Sequence, residues 1–151
     1  MIRPLPPEQP HREVDQLLSH YAESHRNHTN ERIHLVCIPL ILLSLIGLLW
    51  AASAWLAIAF VAASLAYYAR LSIPFLLAMT PVSAIALSLA WALGEHVLTA
   101  SALVFVLAWI GQFIGHKIEG KKPSFFEDVR YLWVGPLFCL SIAFQALGLR
   151  W

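Results

Sequence analysis

The stretch IHLVCIPLILLSLIGLLWAASAWLAIAFVAASLAYYA, residues 33–69, holds 37 consecutive residues without a lysine, arginine, aspartate or glutamate. A helix needs about 20 residues to cross the hydrocarbon layer of a membrane. The stretch is therefore too long for one crossing and predicts two short spanning helices, at 33–50 and 55–69. We expect a tight turn around Ala52 and Ser53 to join them.

Three further uncharged runs predict spanning helices at 73–93, 97–115 and 131–149, and the four runs together hold 101 of the 151 residues. The chain is 59% apolar and 13% charged, whereas a soluble domain carries about 25% charged residues. This composition excludes a water-soluble globule, a disordered chain and a nucleic-acid binder that acts through a basic patch. We predict an all-α, polytopic membrane helix bundle with about five spanning helices.

The distribution of basic residues favours five crossings over four. Five crossings place the segment before residue 33, the turn at Arg70 and the stretch 117–130 on one side of the membrane. That side carries nine of the ten basic residues: Arg3, Arg12, Arg26, Arg32, Arg70, Lys117, Lys121, Lys122 and Arg130. Cytoplasmic loops are enriched in lysine and arginine, so we expect a cytoplasmic amino terminus. A four-span alternative would merge or drop the weak span at 55–69.

The segment before the first span is predicted to contain a Pro-rich lead, 1–12, and an amphipathic helix, 13–26, at the cytoplasmic interface. The lead has four prolines among its first ten residues and does not resemble a cleavable signal peptide. The apolar positions of the helix share one face: Val14, Leu17, Leu18 and Tyr21. A polar run follows, in which Asn30 is a candidate N-cap for the first span. We expect a single integral membrane domain.

The topology sorts the seven histidines by depth. His96 falls alone on the opposite side, roughly 30 Å across the hydrocarbon layer, and is expected to be interfacial. The other six lie at cytoplasmic depth: His11, His20, His25, His28, His34 and His116. His25 continues the buried stripe of the amphipathic helix, and His34 lies in the first turn of a span, where an ionisable group needs a partner. Taken singly, each is better explained by a hydrogen bond to a backbone carbonyl.

The fourth span ends in WIGQFIGHKIEGKKP, residues 109–123. Four of its side chains share one helix face if the helix continues to Gly120: Trp109, Gln112, His116 and Glu119. An amide, an imidazole and a carboxylate on one face are hard to explain as packing against lipid. The alternative is a polar helix end that surfaces among the headgroups.

Three imidazoles at one depth, His25, His34 and His116, predict a metal site. Imidazole with carboxylate and open positions suits non-haem Fe(II), although zinc and manganese are alternatives. Metal-bound histidines donate their second ring nitrogen to an acceptor, and three side chains carry an oxygen able to accept: Asn30, Gln112 and Glu119. Whether His28 joins the site is left open.

Two motifs resemble the Mpo-type membrane family, named for the metabolism of phytosphingosine to odd-numbered fatty acids. In YAESHRNHTNERIHLVCIPL, residues 21–40, the matching positions are His25, Asn30, His34 and Pro39, and Asn27 also fits. In WIGQFIGHKIEGKKPSF, residues 109–125, they are Gln112, Phe113, Gly115, His116, Glu119 and Pro123, and Trp109 also fits.

The resemblance implies an Fe(II)-dependent dioxygenase of fatty acid α-oxidation, which uses O₂ to convert a 2-hydroxy fatty acid into the fatty acid one carbon shorter. It implies that His25, His34 and His116 are catalytic and hold the iron, with Glu119 as a further catalytic residue. The supporting polar residues would be Asn27, Asn30 and Gln112, and the lysines available to attract the substrate carboxylate are Lys117, Lys121 and Lys122. The chain is shorter than eukaryotic members, which implies a bacterial inner-membrane protein with its active site on the cytoplasmic side.

Two other classes of function stay open at this stage. One is a non-catalytic membrane protein whose polar cluster binds lipid headgroups or a partner. The other is a different metal-dependent lipid oxidase or hydrolase on the same scaffold. The sequence predicts no nucleic-acid partner, and it leaves the oligomeric state open.

Overall fold

The computed structural model describes residues 12–151, which contain six α-helices and no β-strand. This confirms the predicted all-α class. The helices are α1 (Glu13–Ala22), α2 (His28–Ala52), α3 (Ala54–Leu71), α4 (Ile73–Ala92), α5 (Val97–Glu119) and α6 (Tyr131–Ala146). Short 3₁₀ turns precede α5, at Gly94–His96, and follow it, at Ser124–Phe126. The predicted Pro-rich lead, apart from Arg12, and His11 lie outside the described residues.

Four helices, α2 to α5, are long and apolar enough to cross a membrane, and α5 does so together with the 3₁₀ turn before it. Helix α6, the fifth predicted span, is also apolar but has only 16 residues. Less than a third of each long apolar window is buried inside the protein. Large apolar side chains such as Trp55, Leu77 and Leu107 therefore face outward. This surface is compatible with an integral membrane protein.

Single serines connect α2, α3 and α4. Ser53 lies between α2 and α3 and Ser72 between α3 and α4, and both have extended backbone that reverses the chain at once. The backbone N–H of each serine bonds to the carbonyl four residues earlier, which closes the preceding helix. Connections this short force the three helices to lie antiparallel as neighbours.

Helix α2 begins at His28, earlier than predicted, because Asn27 caps it. The Asn27 side chain accepts hydrogen bonds from the backbone N–H groups of Thr29 and Asn30. The prediction of Asn30 as N-cap is therefore wrong. A cap must accept from the N–H groups two or three residues ahead, and the Asn30 side chain is instead turned inward.

Helix α1 packs its apolar face against α6. Its four predicted stripe residues are buried, and they share one core with Val134, Leu137 and Phe138 of α6. The rings of Tyr21 and Phe138 lie 5.1 Å apart. The apolar stripe was predicted to lie at the membrane interface, but it packs against the apolar surface of α6 instead. This packing brings the chain after α1 over the ends of α2 and α5.

Candidate metal centre

Three imidazoles from separate parts of the chain lie close together, where the loop after α1 packs against α2 and α5. His25 lies in the loop after α1, His34 on α2 and His116 on α5, and their exposed fractions are 5%, 0% and 4%. One ring nitrogen from each histidine lies within 4.8 Å of the corresponding nitrogens of the other two. The structure therefore brings together the three histidines that the sequence singled out, in a geometry that can hold a metal ion.

Backbone carbonyls orient two of the rings. His25 Nδ1 lies 2.7 Å from the carbonyl oxygen of Tyr21, and His34 Nδ1 lies 2.9 Å from that of Asn30. Because a carbonyl only accepts, each Nδ1 carries the proton and each Nε2 presents a lone pair, as a metal ligand requires. In both cases the acceptor at Nδ1 is the backbone carbonyl four residues earlier, rather than a side-chain oxygen of Asn30, Gln112 or Glu119.

The remaining ring nitrogens face one another. His34 Nε2 and His116 Nε2 are 3.0 Å apart, which is roughly the separation of two ligands about 2.1 Å from one ion and at right angles to each other. His25 Nε2 is buried and has no hydrogen-bond partner within residues 12–151. Burial lowers the pKa of His25 to about 4, so this imidazole is neutral and able to bind a metal at neutral pH.

Glu119 lies at the loop after α1 rather than among the three ring nitrogens. Its carboxylate accepts hydrogen bonds from the backbone N–H groups of Arg26 and Asn27, at 3.1 and 2.9 Å, and from Asn30 Nδ2, at 3.1 Å. Helix α5 ends at this residue, and Gly120 closes it in a left-handed conformation with φ of 76°. The helix therefore continues as far as Gly120, its cap, as predicted. This extension places Glu119 beside the loop that contains His25.

Asn30 and Gly115 set the distance between α2 and α5 at this level. The Asn30 amide donates both to Glu119 and to the Ser24 carbonyl, and Asn30 is fully buried. A Cβ atom on Gly115 would collide with Asn30 Oδ1 and come within 3.2 Å of the His34 ring. Only glycine therefore allows the helices to approach closely enough for His34 and His116 to meet.

The predicted supporting residues occupy different positions around the rings. Gln112, one turn before His116, is buried and lies in hydrogen-bonding reach of the His34 ring. Asn27 contributes through its cap rather than by touching an imidazole. Sequence reasoning missed Tyr21, whose ring stacks on His25 with a centroid distance of 4.3 Å. Its spacing of four residues from His25, along the apolar stripe predicted for the amphipathic helix, is the signal that could have revealed it.

The other described histidines stay outside the cluster. His20 is half-exposed and lies 3.3 Å from Glu127, and His28 is exposed beside Glu31. His96 is exposed at the opposite end of α5, as expected. Their positions answer the question left open for His28, since its ring points to solvent.

Lys117, Lys121 and Lys122, which were predicted to attract the substrate carboxylate, line a surface depression together with His116. The three side chains are exposed, and Lys121 Nζ donates a hydrogen bond to the Glu23 carbonyl at 3.0 Å. The aromatic rings of Phe113 and Phe126 complete the rim. The lysines therefore make the surface beside His116 positively charged.

Similarity to a known protein family extends over both halves of the chain. A protein-family model, Mpo1-like, described as 2-hydroxy-palmitic acid dioxygenase Mpo1-like, matches residues 11–71 and 72–147. The two matches contain all three histidines of the cluster. No curated protein and no solved structure matches the chain.

Proposed function

The chain belongs to the Mpo1-like family, and from this premise we propose that it is a membrane-embedded, non-haem Fe(II) dioxygenase of 2-hydroxy fatty acids. The reaction would use O₂ to convert a 2-hydroxy fatty acid into the fatty acid one carbon shorter. Atoms balance if the carboxyl carbon leaves as CO₂ and one water forms. The observation that carries the proposal is the buried cluster of three imidazole nitrogens within 4.8 Å of one another.

The donor set suits iron. His25, His34 and His116 would hold the ion through neutral imidazoles, and three nitrogen ligands leave coordination positions open for substrate and O₂. Bound Fe(II) would supply the redox chemistry that allows O₂ to react with the 2-hydroxy acid. Zinc offers no redox chemistry, so the family's dioxygenase description favours a redox-active metal such as iron over zinc.

The surrounding residues would fix the ligands and position the substrate. Tyr21 and Asn30 hold two rings through backbone carbonyls. We propose that Glu119 is a positioning residue rather than a catalytic one, because its carboxylate contacts the loop and not the rings. The lysine-lined depression would attract the substrate carboxylate through its positive charge.

We propose that the amino terminus and the site lie on the cytoplasmic side of a bacterial inner membrane. The support is the distribution of basic residues in the sequence. If α2 to α6 all cross the membrane, nine of the ten basic residues lie on the same side as the imidazole cluster. A substrate with a charged head and an apolar tail would then reach the site from the inner leaflet.

Metal analysis of the purified protein tests the proposal. Wild-type protein should contain stoichiometric iron, and it should consume O₂ with a 2-hydroxy fatty acid but not with the unsubstituted acid. Substitution of His25, His34 or His116 by alanine should abolish both properties while membrane insertion persists. The matched control is His28→Ala, an exposed histidine close to the cluster, which should retain both.

Two results would overturn the proposal in different ways. Protein without any stoichiometric transition metal would favour the non-catalytic alternative, in which the polar cluster binds lipid or a partner. Protein that holds a metal but consumes no O₂ with any 2-hydroxy acid would favour another metal-dependent lipid enzyme.

A further inference from the structure

A narrow crevice runs from the imidazole cluster into the apolar half of the bundle. Its walls come from α2, α3, α5 and α6 and from the turn after α5. The apolar lining includes Ile38, Ile41, Leu42 and Leu45 of α2, Phe60 of α3 and Trp133 of α6. The same crevice contacts His116 and Gln112, so one of its ends lies at the candidate metal centre.

On the side of α5 and of the turn that follows it, the crevice carries unused hydrogen-bonding groups in addition to His116 and Gln112. Trp109 Nε1 and Ser124 Oγ are buried, line this crevice as residues, and have no hydrogen-bond partner within the described part of the chain. A buried donor without a partner is destabilising, so a ligand group that accepts from it would bind more tightly. The crevice is therefore polar at one end and apolar along the rest of its length, which is the pattern of an amphiphilic ligand.

The far end lies at Leu45 and Phe60. The two residues are at the same depth, because they lie eight and seven residues from Ser53, the turn of the α2–α3 hairpin. Leu45 is eleven residues beyond His34, or about 16 Å at a rise of 1.5 Å per residue. Since a carbon–carbon bond is about 1.5 Å long and an extended chain advances most of that length per carbon, this depth corresponds to on the order of a dozen methylene groups.

Hydrogen bonds fix the wall at this end. Trp133 Nε1 donates to Ser64 Oγ at 2.9 Å, and Ser64 Oγ donates to the Phe60 carbonyl at 2.7 Å. The rings of Phe60 and Trp133 lie 5.9 Å apart. A tryptophan with its N–H satisfied inside the bundle is held in one orientation, so the end of the crevice has a defined position.

We propose that this crevice binds the acyl chain of the substrate and that Leu45 and Phe60 set the chain length that the enzyme accepts. The inference rests on the proposed function, because it assigns the tail of that same substrate. His116 lines both the crevice and the lysine-lined depression. The carbon next to the carboxylate would then lie at the imidazoles, with the head group toward the lysines and the tail along α2.

A chain-length profile of the purified enzyme tests the inference. Turnover of saturated 2-hydroxy acids, from short-chain to very-long-chain, would be measured for wild type, Leu45→Trp, Leu45→Phe and Phe60→Ala, together with iron content. The larger side chains at Leu45 should block the last helical turn of the crevice, about 5.4 Å, and shift the preferred length down by roughly four carbons. Phe60→Ala should shift it upward. Leu77→Trp, an outward-facing leucine on α4, is the matched control and should leave the profile unchanged.

The outcomes separate this inference from the proposed function. If wild type turns over 2-hydroxy acids but the variants at Leu45 and Phe60 keep the wild-type length preference, the tail lies elsewhere and the inference fails alone. The same conclusion follows if the variants lose activity equally at every length while their iron content is normal. If wild type has no turnover at any length, the proposed function fails and the inference fails with it.

Discussion

Helices α2 and α5 approach closely at both ends of their contact, yet only one end has the chemistry of a site. At the end away from the imidazoles, Gly47 of α2 lies against Ser101 of α5. At the other end, Gly115 of α5 lies against Asn30 and His34 of α2. Small residues allow the same close approach in both places. What differs is the side chain that faces the glycine.

The two ends also differ in whether their polar side chains are buried. At the Gly115 end, imidazoles and amides are buried. Their hydrogen bonds orient the His34 ring and link Asn30 to Glu119. At the Gly47 end, His96 is exposed beside Glu95. Buried ionisable groups at membrane depth are costly and are usually functional. Close packing is therefore general in this pair of helices, whereas among residues 12–151 imidazoles are buried at only one end.

The largest effect is expected from Gly115→Val. The added side chain would collide with Asn30 Oδ1 and press on the His34 ring, so the helices must separate and the ring nitrogens with them. We expect loss of bound iron and a fall in activity of about a hundredfold or more, in the upper range for residues that orient metal ligands. Elemental analysis and O₂ consumption of the purified variant measure both.

Gly47→Ala at the opposite end is the matched control for this prediction. Its Cβ would collide with Ser101, and overpacking of this kind costs about 1–3 kcal/mol. The variant should unfold at a lower temperature but retain its iron. Equal loss of iron in both variants would show that the two ends are not distinct.

A smaller effect is expected from Glu119→Gln. A glutamine keeps one acceptor oxygen for Asn27 and Asn30, but its NH₂ group would face the Arg26 N–H, and the charge that strengthens all three bonds is lost. The loop should then hold His25 less firmly. We expect about a tenfold loss of iron affinity, measured by metal titration, with the length preference for substrate unchanged.

Glu127→Gln serves as the control for Glu119, because Glu127 is exposed and contacts only the half-exposed His20 among the pairs described. It should leave iron affinity within about twofold. A catalytic role for Glu119 would show as a large fall in kcat with normal iron affinity, and this result would replace the positioning role.

The fold class and the three histidines could be predicted from the sequence because both follow from local patterns. Uncharged runs mark the helices, and their order along the chain places six histidines at one depth. The apolar stripe, the first turn of a span and the polar face of the fourth span then single out His25, His34 and His116. The three-four-three spacing that ends in Glu119 likewise follows from helix geometry alone.

The contacts around the site depend on tertiary docking and could not be predicted in this way. Glu119 bonds to backbone N–H groups more than ninety residues away, and no sequence pattern marks a backbone donor. The choice of Asn27 over Asn30 as cap follows from the inward turn of Asn30 toward that same carboxylate. The crevice wall joins Phe60 to Trp133 across two helices whose relative position only the folded bundle defines.

The smallest effect is expected from His96→Gln, which removes the one described imidazole at the Gly47 end. Its side chain is 78% exposed and its partner, Glu95, is exposed as well. Exposed substitutions of this kind usually change stability by about 0.5 kcal/mol or less, equivalent to about twofold in an equilibrium. Iron content, turnover and thermal unfolding should therefore match wild type within that factor. A loss of iron as large as that of His34→Ala would mean that an exposed histidine at the Gly47 end is also needed to hold iron. The contrast between the two ends would then no longer hold.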